Sequence, residues 1–489
     1  MGFQSRAYID AAMSHHRRKR RHLLASGLRS IGVIAIYASL GVLMACTSVP
    51  DFDQSGVRLS GTGSKPRIIG AYGPLTARQS KALLERLSPE PGDSGVLKRH
   101  LAIEQAVADG PLIGGNRTRI LVDGPDSFHA IFAAIRDAKD HVNLEYFILE
   151  DVQSDGLSLG DLLAAKQRAG VAVNVIYDSY GSSSTPASFF DRLKQAGVNL
   201  VEFNPINPLD AKSGYSFNDR DHRKILVADG ATAIVGGVNL STTYQSNPLG
   251  KSGAPEGKSP EHWRDTDLQI DGPAVASLQT LFFEHWTKQK GSPPVSANYF
   301  PAVPPKGADV VRILGSTPDN AIPRYYVTLL SAIRNAEKSI RVSAAYFVPT
   351  HQEMEDLIDA ARRGVDVRLL LPDRSDSEQA IAVAHSRYSD LLEAGVKIYE
   401  THDLVLHSKI VVIDGVWSVI GSSNFDQRSV LFNDEVDAIV LGSGTAQALE
   451  KMFADDLADA HRIDITTWEK RPFWQRVREF FSRTWQSLL

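Results

Sequence analysis

Residues 222–239 read HRKILVADGATAIVGGVN, and residues 407–424 read HSKIVVIDGVWSVIGSSN. His, Lys, Asp, Gly and Asn recur at the same spacings, and the segments before them recur too. AIRDAKDHVNLEYFIL, from Ala134, is answered by AIRNAEKSIRVSAAYFVP, from Ala332. RAGVAVNVIYD (168–178) is answered by RRGVDVRLLLPD (362–373), and LKQAGVNLVEFNP (193–205) by LLEAGVKIYE (391–400). These segments read as helix, glycine stop and buried strand. A repeat of about 180 residues is too long for a solenoid. It predicts an α/β fold of two homologous lobes related by a pseudo-two-fold axis, each a mixed, mostly parallel sheet flanked by helices.

The repeat sets the expected boundaries: a first lobe over 117–298 and a second over 299–465, with Pro-rich YFPAVPPKG (299–307) as hinge. Residues 47–116 read as a linker followed by helices near 76–87 and 96–108. Residues 1–46 read as an address. A basic block, Arg17 to Arg21, precedes an uncharged stretch from Ser30 to Pro50. LMAC, ending at Cys46, resembles a lipoprotein signal in which Cys46 is lipidated; the alternative is an uncleaved membrane anchor. Either places the lobes outside the cytoplasm, in a bacterial cell envelope, because the basic flank stays inside. Cys46 is the single cysteine, so no disulfide and no cysteine metal cluster forms within one chain. The formal net charge of -4 gives no support to a nucleic-acid partner.

Within each motif, residues two apart on a strand share a face, so His222 projects with Lys224 and His407 with Lys409. Asp229-Gly230 and Asp414-Gly415 are hairpin-turn signals. The chain then returns to Asn239 or Asn424 beside the starting histidine. Gly236-Gly237 and Gly421-Ser422 let backbone or ligand approach closely. Histidine acts as nucleophile or general acid/base near neutral pH, while lysine and asparagine suit phosphate oxygens. Two facing sets allow one histidine to attack phosphorus while the other protonates the leaving alkoxide. The lysines offset the developing charge, so no metal and no cofactor is expected.

The paired motifs, intact in both halves, resemble the HKD motifs of the phospholipase D superfamily. Longer stretches, LVDGPDSF, DHRKILVADG, WRDTDLQIDGP, GVKIYE and NDEVDA, are similar to the bacterial cardiolipin synthases, the B-type branch in particular. The resemblance covers about 117–465. It implies transfer of a phosphatidyl group between phosphatidylglycerol molecules through a phosphohistidine, by a monomer with two fused lobes. It implies that His222 and His407 are catalytic, that Lys224, Lys409, Asn239 and Asn424 hold the phosphate, and that Asp265 and Glu435 orient the histidines. Ser422 matches a serine near the phosphate, with Gly237 at the partner position. Asp229 and Asp414, at the far end of the hairpin, are read as structural.

The first half carries longer loops, 204–219 and 242–263, beside its motif, where substrate choice is commonly set. The C-terminal segment 466–489 reads as a basic amphipathic helix with Trp474, Val477, Phe480, Phe481, Trp485 and Leu488 on one face, suited to a membrane interface or to packing on the core. His285 and His385 show no partner pattern. Rival functions are a phospholipase D that uses water, an exported nuclease, and a catalytically dead lipid-binding scaffold.

Overall fold

The protein is described here by a computed structural model over residues 68–88, 94–107, 110–207, 216, 218–245, 262–320 and 323–482. The N-terminal address with Cys46, most of the two long first-half loops, and Trp485 and Leu488 lie outside the described residues.

In the first lobe β1 (Leu112–Val122) leads to α1 (Asp123–Asp137), β2 (His141–Tyr146), α2 (Leu159–Arg168), β3 (Ala172–Asp178), α3 (Ala187–Gln195) and β4 (Asn199–Phe203). Then come β5 (Arg220–Asp221), the hairpin β6 (Lys224–Ala228) and β7 (Thr232–Gly236), β8 (His262–Arg264), β9 (Thr266–Asp271) and α4 (Val275–Lys288). The second lobe repeats the plan: β10 (Asp309–Ser316), α5 (Arg324–Arg334), β11 (Ser339–Ala344), α6 (His351–Arg362), β12 (Asp366–Arg374), α7 (Glu378–Glu393) and β13 (Lys397–Leu406). Its hairpin is β14 (Lys409–Ile413) and β15 (Trp417–Gly421), followed by β16 (Asn433–Leu441) and α8 (Ser443–Ala458); α9 (Phe473–Ser482) ends the described chain.

The first sheet runs β4-β3-β2-β6-β7-β9-β1. The second runs β13-β12-β11-β14-β15-β16-β10. The sheets are mixed, as expected, but the parallel share is smaller than the repeats suggest. Only the three strands joined by helical crossovers are parallel; the hairpin and its outer neighbours pair antiparallel, as tight turns require. β1 pairs with β10 to join the sheets. The expected start of the first lobe at residue 117 therefore falls inside β1, whose earlier half pairs with the second lobe.

The motif runs are apolar throughout because both strand faces are buried. Ile225 and Val227 point into a core shared with Ile410, Val412 and Ile420 of the other lobe. Leu226 packs into the first lobe's own core against Phe128 and Leu144. At the hairpin turns Asp229, Gly230, Asp414 and Gly415 all take positive φ, from 51° to 64°, the φ signs of a type I′ turn, and three residues, 229–231 and 414–416, separate the paired strand ends. The helices Ala77–Leu87 and Ser94–Val107 belong with the second lobe: Leu83, Leu87, Leu97 and Leu101 join its core. The Pro-rich segment packs on the first lobe, with the Tyr299 ring 4.6 Å from that of His141. α9 lies along α7, with Ser482 Oγ donating to Ala382 O, yet it leaves Phe473, Trp474 and Phe481 exposed.

Candidate active site

Two short parallel pairings between the lobes build the site. β5 pairs with the start of β16, Asp221 opposite Asp434. One residue further on, the His222 N–H donates to Asp434 O at 2.9 Å. That register brings His222 Nδ1 to 3.0 and 3.1 Å from the two oxygens of Glu435. β8 pairs with the end of β13, Arg264 opposite Leu406. The His407 N–H donates to Arg264 O at 2.7 Å, and His407 Nδ1 lies 2.7 Å from Asp265 Oδ2. Each histidine thus meets a carboxylate carried by the other lobe. The acid draws the proton to Nδ1 and leaves Nε2 with its lone pair, the arrangement a nucleophile or general base needs.

Both lysines reach back to their own motif: Lys224 Nζ donates to His222 O and Lys409 Nζ to His407 O, each at 2.5 Å. Lys409 Nζ also lies 3.2 Å from His407 Nε2. Burial brings Lys224 down to about 7, with Lys409 adding to the fall and Glu435 opposing it. Burial likewise lowers Lys409. Burial pushes His222 down to about 4 against the upward pull of Glu435, and His407 is lowered by burial and by Lys409. Burial would raise Glu435, but His222, Lys224 and Ser422 outweigh it and hold the carboxyl below its usual range. The site therefore holds neutral imidazole at His222 beside an ionised carboxylate. An anionic phosphodiester entering beside Lys224 and Lys409 would favour their charged forms, which burial opposes.

Asn239 and Asn424 are both buried; Asn424 lines a cavity with His222, and Asn239 bonds to Tyr244, which contacts His407. Asn239 Oδ1 accepts from the Ile148 amide, while Asn424 Oδ1 is buried with no hydrogen-bond partner. The Ser422 hydroxyl donates to Glu435 Oε2 at 2.5 Å and accepts from the Val436 amide. Gly237, read as its counterpart, instead makes room for an acid; a Cβ there would collide with the Asp265 carboxylate. Gly236 and Gly421 do the same for Asp267 and Asp437. The close approach that glycine permits here serves the carboxylates. Asp229 accepts from the amides of Lys139, Asp140 and His141. Asp414 accepts from those of Glu337, Lys338 and Ser339 and faces His100 Nε2 at 3.1 Å. Both motif aspartates thus tie the hairpin turn to the strand beside it, away from the histidines.

The motif reading missed several neighbours. Tyr244 OH lies 2.9 Å from His407 Nδ1 and 3.3 Å from Asp265 Oδ2, and the Trp263 and Tyr346 rings approach His407. Phe147 meets His222 edge-on. Tyr244 and Trp263 bracket the first-half loop that the second half lacks, so loop length was the one signal available. A cavity of about 400 Å³ opens over His222 and Asn424, walled by Phe147, Tyr180 and Tyr346 with Arg220 and Arg428 at its edge. A larger hollow of about 710 Å³ lies around Asp229 and Asp271 and contains neither histidine. Among the described residues, the one group of three metal-ligating side chains close enough to share an ion is Glu145, Asp221 and His285.

A family model described as "Cardiolipin synthase, PLD-like domain" matches residues 131–247 and 329–457, which contain both hairpins. A cardiolipin synthase of Geobacillus kaustophilus (strain HTA426) is 34% identical over 412 residues, 84% of this chain and 79% of the relative. One from Alkalihalophilus pseudofirmus is 35% identical over 382 residues, 78% of this chain and 73% of the relative. Among solved structures, a phosphatidylserine synthase of Haemophilus influenzae Rd KW20 superposes with a TM-score of 0.57 at 13% identity, over 80% of this chain and all of that one. At that identity the likeness speaks for the fold alone.

Proposed function

The chain belongs to the cardiolipin synthase family of phospholipase D-like enzymes, and from that premise we propose that it moves a phosphatidyl group from one phosphatidylglycerol to the hydroxyl of another. Lys224, Lys409, Asn239 and Asn424 hold the non-bridging oxygens of the donor phosphate. His222 Nε2 attacks phosphorus; a P–N bond forms as the P–O bond to glycerol breaks. His407, protonated once the anionic phosphate has entered, gives its proton to the departing oxygen. The acceptor's hydroxyl then loses its proton to His407 and attacks phosphorus, the P–N bond breaks, and cardiolipin leaves. His222 is assigned the nucleophile's part because it lines the cavity and is held neutral.

The observation that carries this reading is the pair of cross-lobe couples, His222 with Glu435 and His407 with Asp265. Each gives one imidazole a carboxylate at Nδ1 and turns Nε2 away from that acid, so attack and protonation come from two separate groups. The exposed Phe473, Trp474 and Phe481 of α9 give the enzyme an interfacial face toward lipid. Cys46, as lipid attachment point or end of an anchor, gives it a second hold; mass spectrometry of the mature N-terminus decides between these. The test of the reaction is incubation with labelled phosphatidylglycerol. Cardiolipin with equimolar glycerol is expected; phosphatidic acid as the main product would replace the transferase by a phospholipase. Phosphohistidine trapped at His407 in place of His222 would reverse the two roles.

A further inference from the structure

Behind the couple of His222 and Glu435 lies a second charged cluster, buried and outside the steps above. Asp221 and Asp434, opposite one another on β5 and β16, immediately precede His222 and Glu435. Glu145 comes from β2, Arg223 follows His222, and His285 enters from the last turn of α4. All five are at most 2% exposed. His285 Nδ1 lies 2.7 Å from Glu145 Oε1 and 3.9 Å from Asp221 Oδ2, and its Nε2 lies 3.2 Å from Asp434 Oδ1. Arg223 Nη1 is 3.6 Å from Glu145 Oε1, and its Nε donates to Glu435 O at 3.2 Å. The Phe203 ring of β4 stacks on the imidazole.

We propose that His285 acts as a buried imidazolium that locks β5 to β16, and so serves as the positioning residue for His222 and Glu435. Two carboxylates directly opposite on paired strands repel unless a cation lies between them. Neither ring nitrogen makes a hydrogen bond, so the lock is electrostatic: an imidazolium set between Glu145, Asp221 and Asp434 offsets their charge, and a neutral ring does not. Burial and Arg223 push the ring down, but Asp434, Glu145 and Asp221 outweigh them and hold it well above the usual histidine value. The other crossing repeats the device with the signs reversed. Arg264, the residue before Asp265, is gripped by Asp456 of α8 at 3.0 and 3.1 Å. In each crossing, the helix that follows one lobe's orienting acid sends a charge across to the residue just before the other lobe's acid.

A metal ion fits this cluster less well. The 2.7 Å between Glu145 Oε1 and His285 Nδ1 is shorter than the roughly 3 Å between neighbouring donors on one ion. The Arg223 guanidinium also occupies the same space.

The proposal rests on the two-histidine reading, so His222→Ala is run beside His285→Gln on the full chain, in vesicles of phosphatidylglycerol. His285→Gln is expected to lower kcat about ten-fold or more, with KM within about two-fold of wild type. The pH at which kcat falls on the acid side should move with it, and His285→Lys, which keeps a cation, should recover most of the rate. If His285→Gln does not fold, the double variant Glu145→Gln/His285→Gln, which removes one charge of each sign, carries the same expectation. A wild-type kcat and pH profile per folded molecule in the variant tested would overturn the proposal, as would one equivalent of metal in the purified enzyme that is lost with His285→Gln. If His222→Ala retains turnover, the two-histidine reading falls and this proposal with it; a dead His222→Ala beside a wild-type-like His285→Gln removes the proposal alone.

Discussion

Replacing Glu435 with Gln isolates what one lobe contributes to the other's histidine. The carboxylate is fully buried and lies 3.0 and 3.1 Å from His222 Nδ1. Ser429 Oγ at 2.9 Å and Asn433 Nδ2 at 3.1 Å hold it from the other side. Glutamine keeps the length and part of these bonds, and loses the charge. When His222 takes on phosphorus its ring becomes cationic, and the ionised partner stabilises it most in that state. A charge-assisted hydrogen bond is worth about 1.5–3 kcal/mol. If it is lost only in the transition state, kcat falls about 10- to 150-fold while KM stays near wild type. The pH dependence has a definite sign. Burial holds His222 near a pKa of about 4, and Glu435 pulls upward against it. Removing that pull lets the neutral imidazole persist to lower pH, so the acid side of the rate profile moves down. The assay is initial-rate formation of labelled cardiolipin across a pH series, with an alkaline quench to count phosphohistidine in single turnovers. A kcat within about three-fold of wild type, an effect confined to KM, or an acid limb that moves upward would refute the reasoning.

Three other outcomes follow from the same geometry. Gly237→Ala sets a methyl against the Asp265 carboxylate; kcat should drop about ten-fold or more in a protein that still unfolds cooperatively, and an unchanged rate would show that Asp265 does not need its place. Asp414→Asn weakens the links to three amides and to His100 and should cost about 2–4 kcal/mol in urea unfolding. Burial opposes ionisation of Asp414, but His100 and the amides hold its pKa below the usual carboxylate value. Its contribution is therefore full above the unfolded-state pKa and is lost as pH falls through the lower folded one, so the gap between wild type and variant should close in acid; a gap that widens there would contradict the assignment. Dialysis against chelator should leave activity in detergent micelles intact, since the lysines supply the positive charge; a loss restored by a divalent ion would count against the mechanism.

The sequence alone was enough for the two lobes, the hairpins and the family. Those are local or repeated signals: continuous apolar runs of Ile, Leu and Val, Asp-Gly turns, and a lysine two places after a histidine. Even the structural part of Asp229 and Asp414 follows from hairpin geometry, because a turn lies one strand length from its open end. Pairing between strands far apart in the chain was not legible. The repeat shows that Asp265 and Glu435 occupy equivalent positions in their halves, but equivalence cannot say which histidine each one meets. The answer depends on two short parallel pairings, β5 with β16 and β8 with β13, each carrying its histidine to the other lobe's acid. Likewise His285 carries no local pattern, since Glu145, Asp221 and Asp434 reach it from three separate strands. Gly237 reads as room for a ligand until the fold fills that room with Asp265. Sequence periodicity reports which face of a strand is buried; what buries it is settled only when the chain closes, because the partner residues are chosen by register and not by spacing.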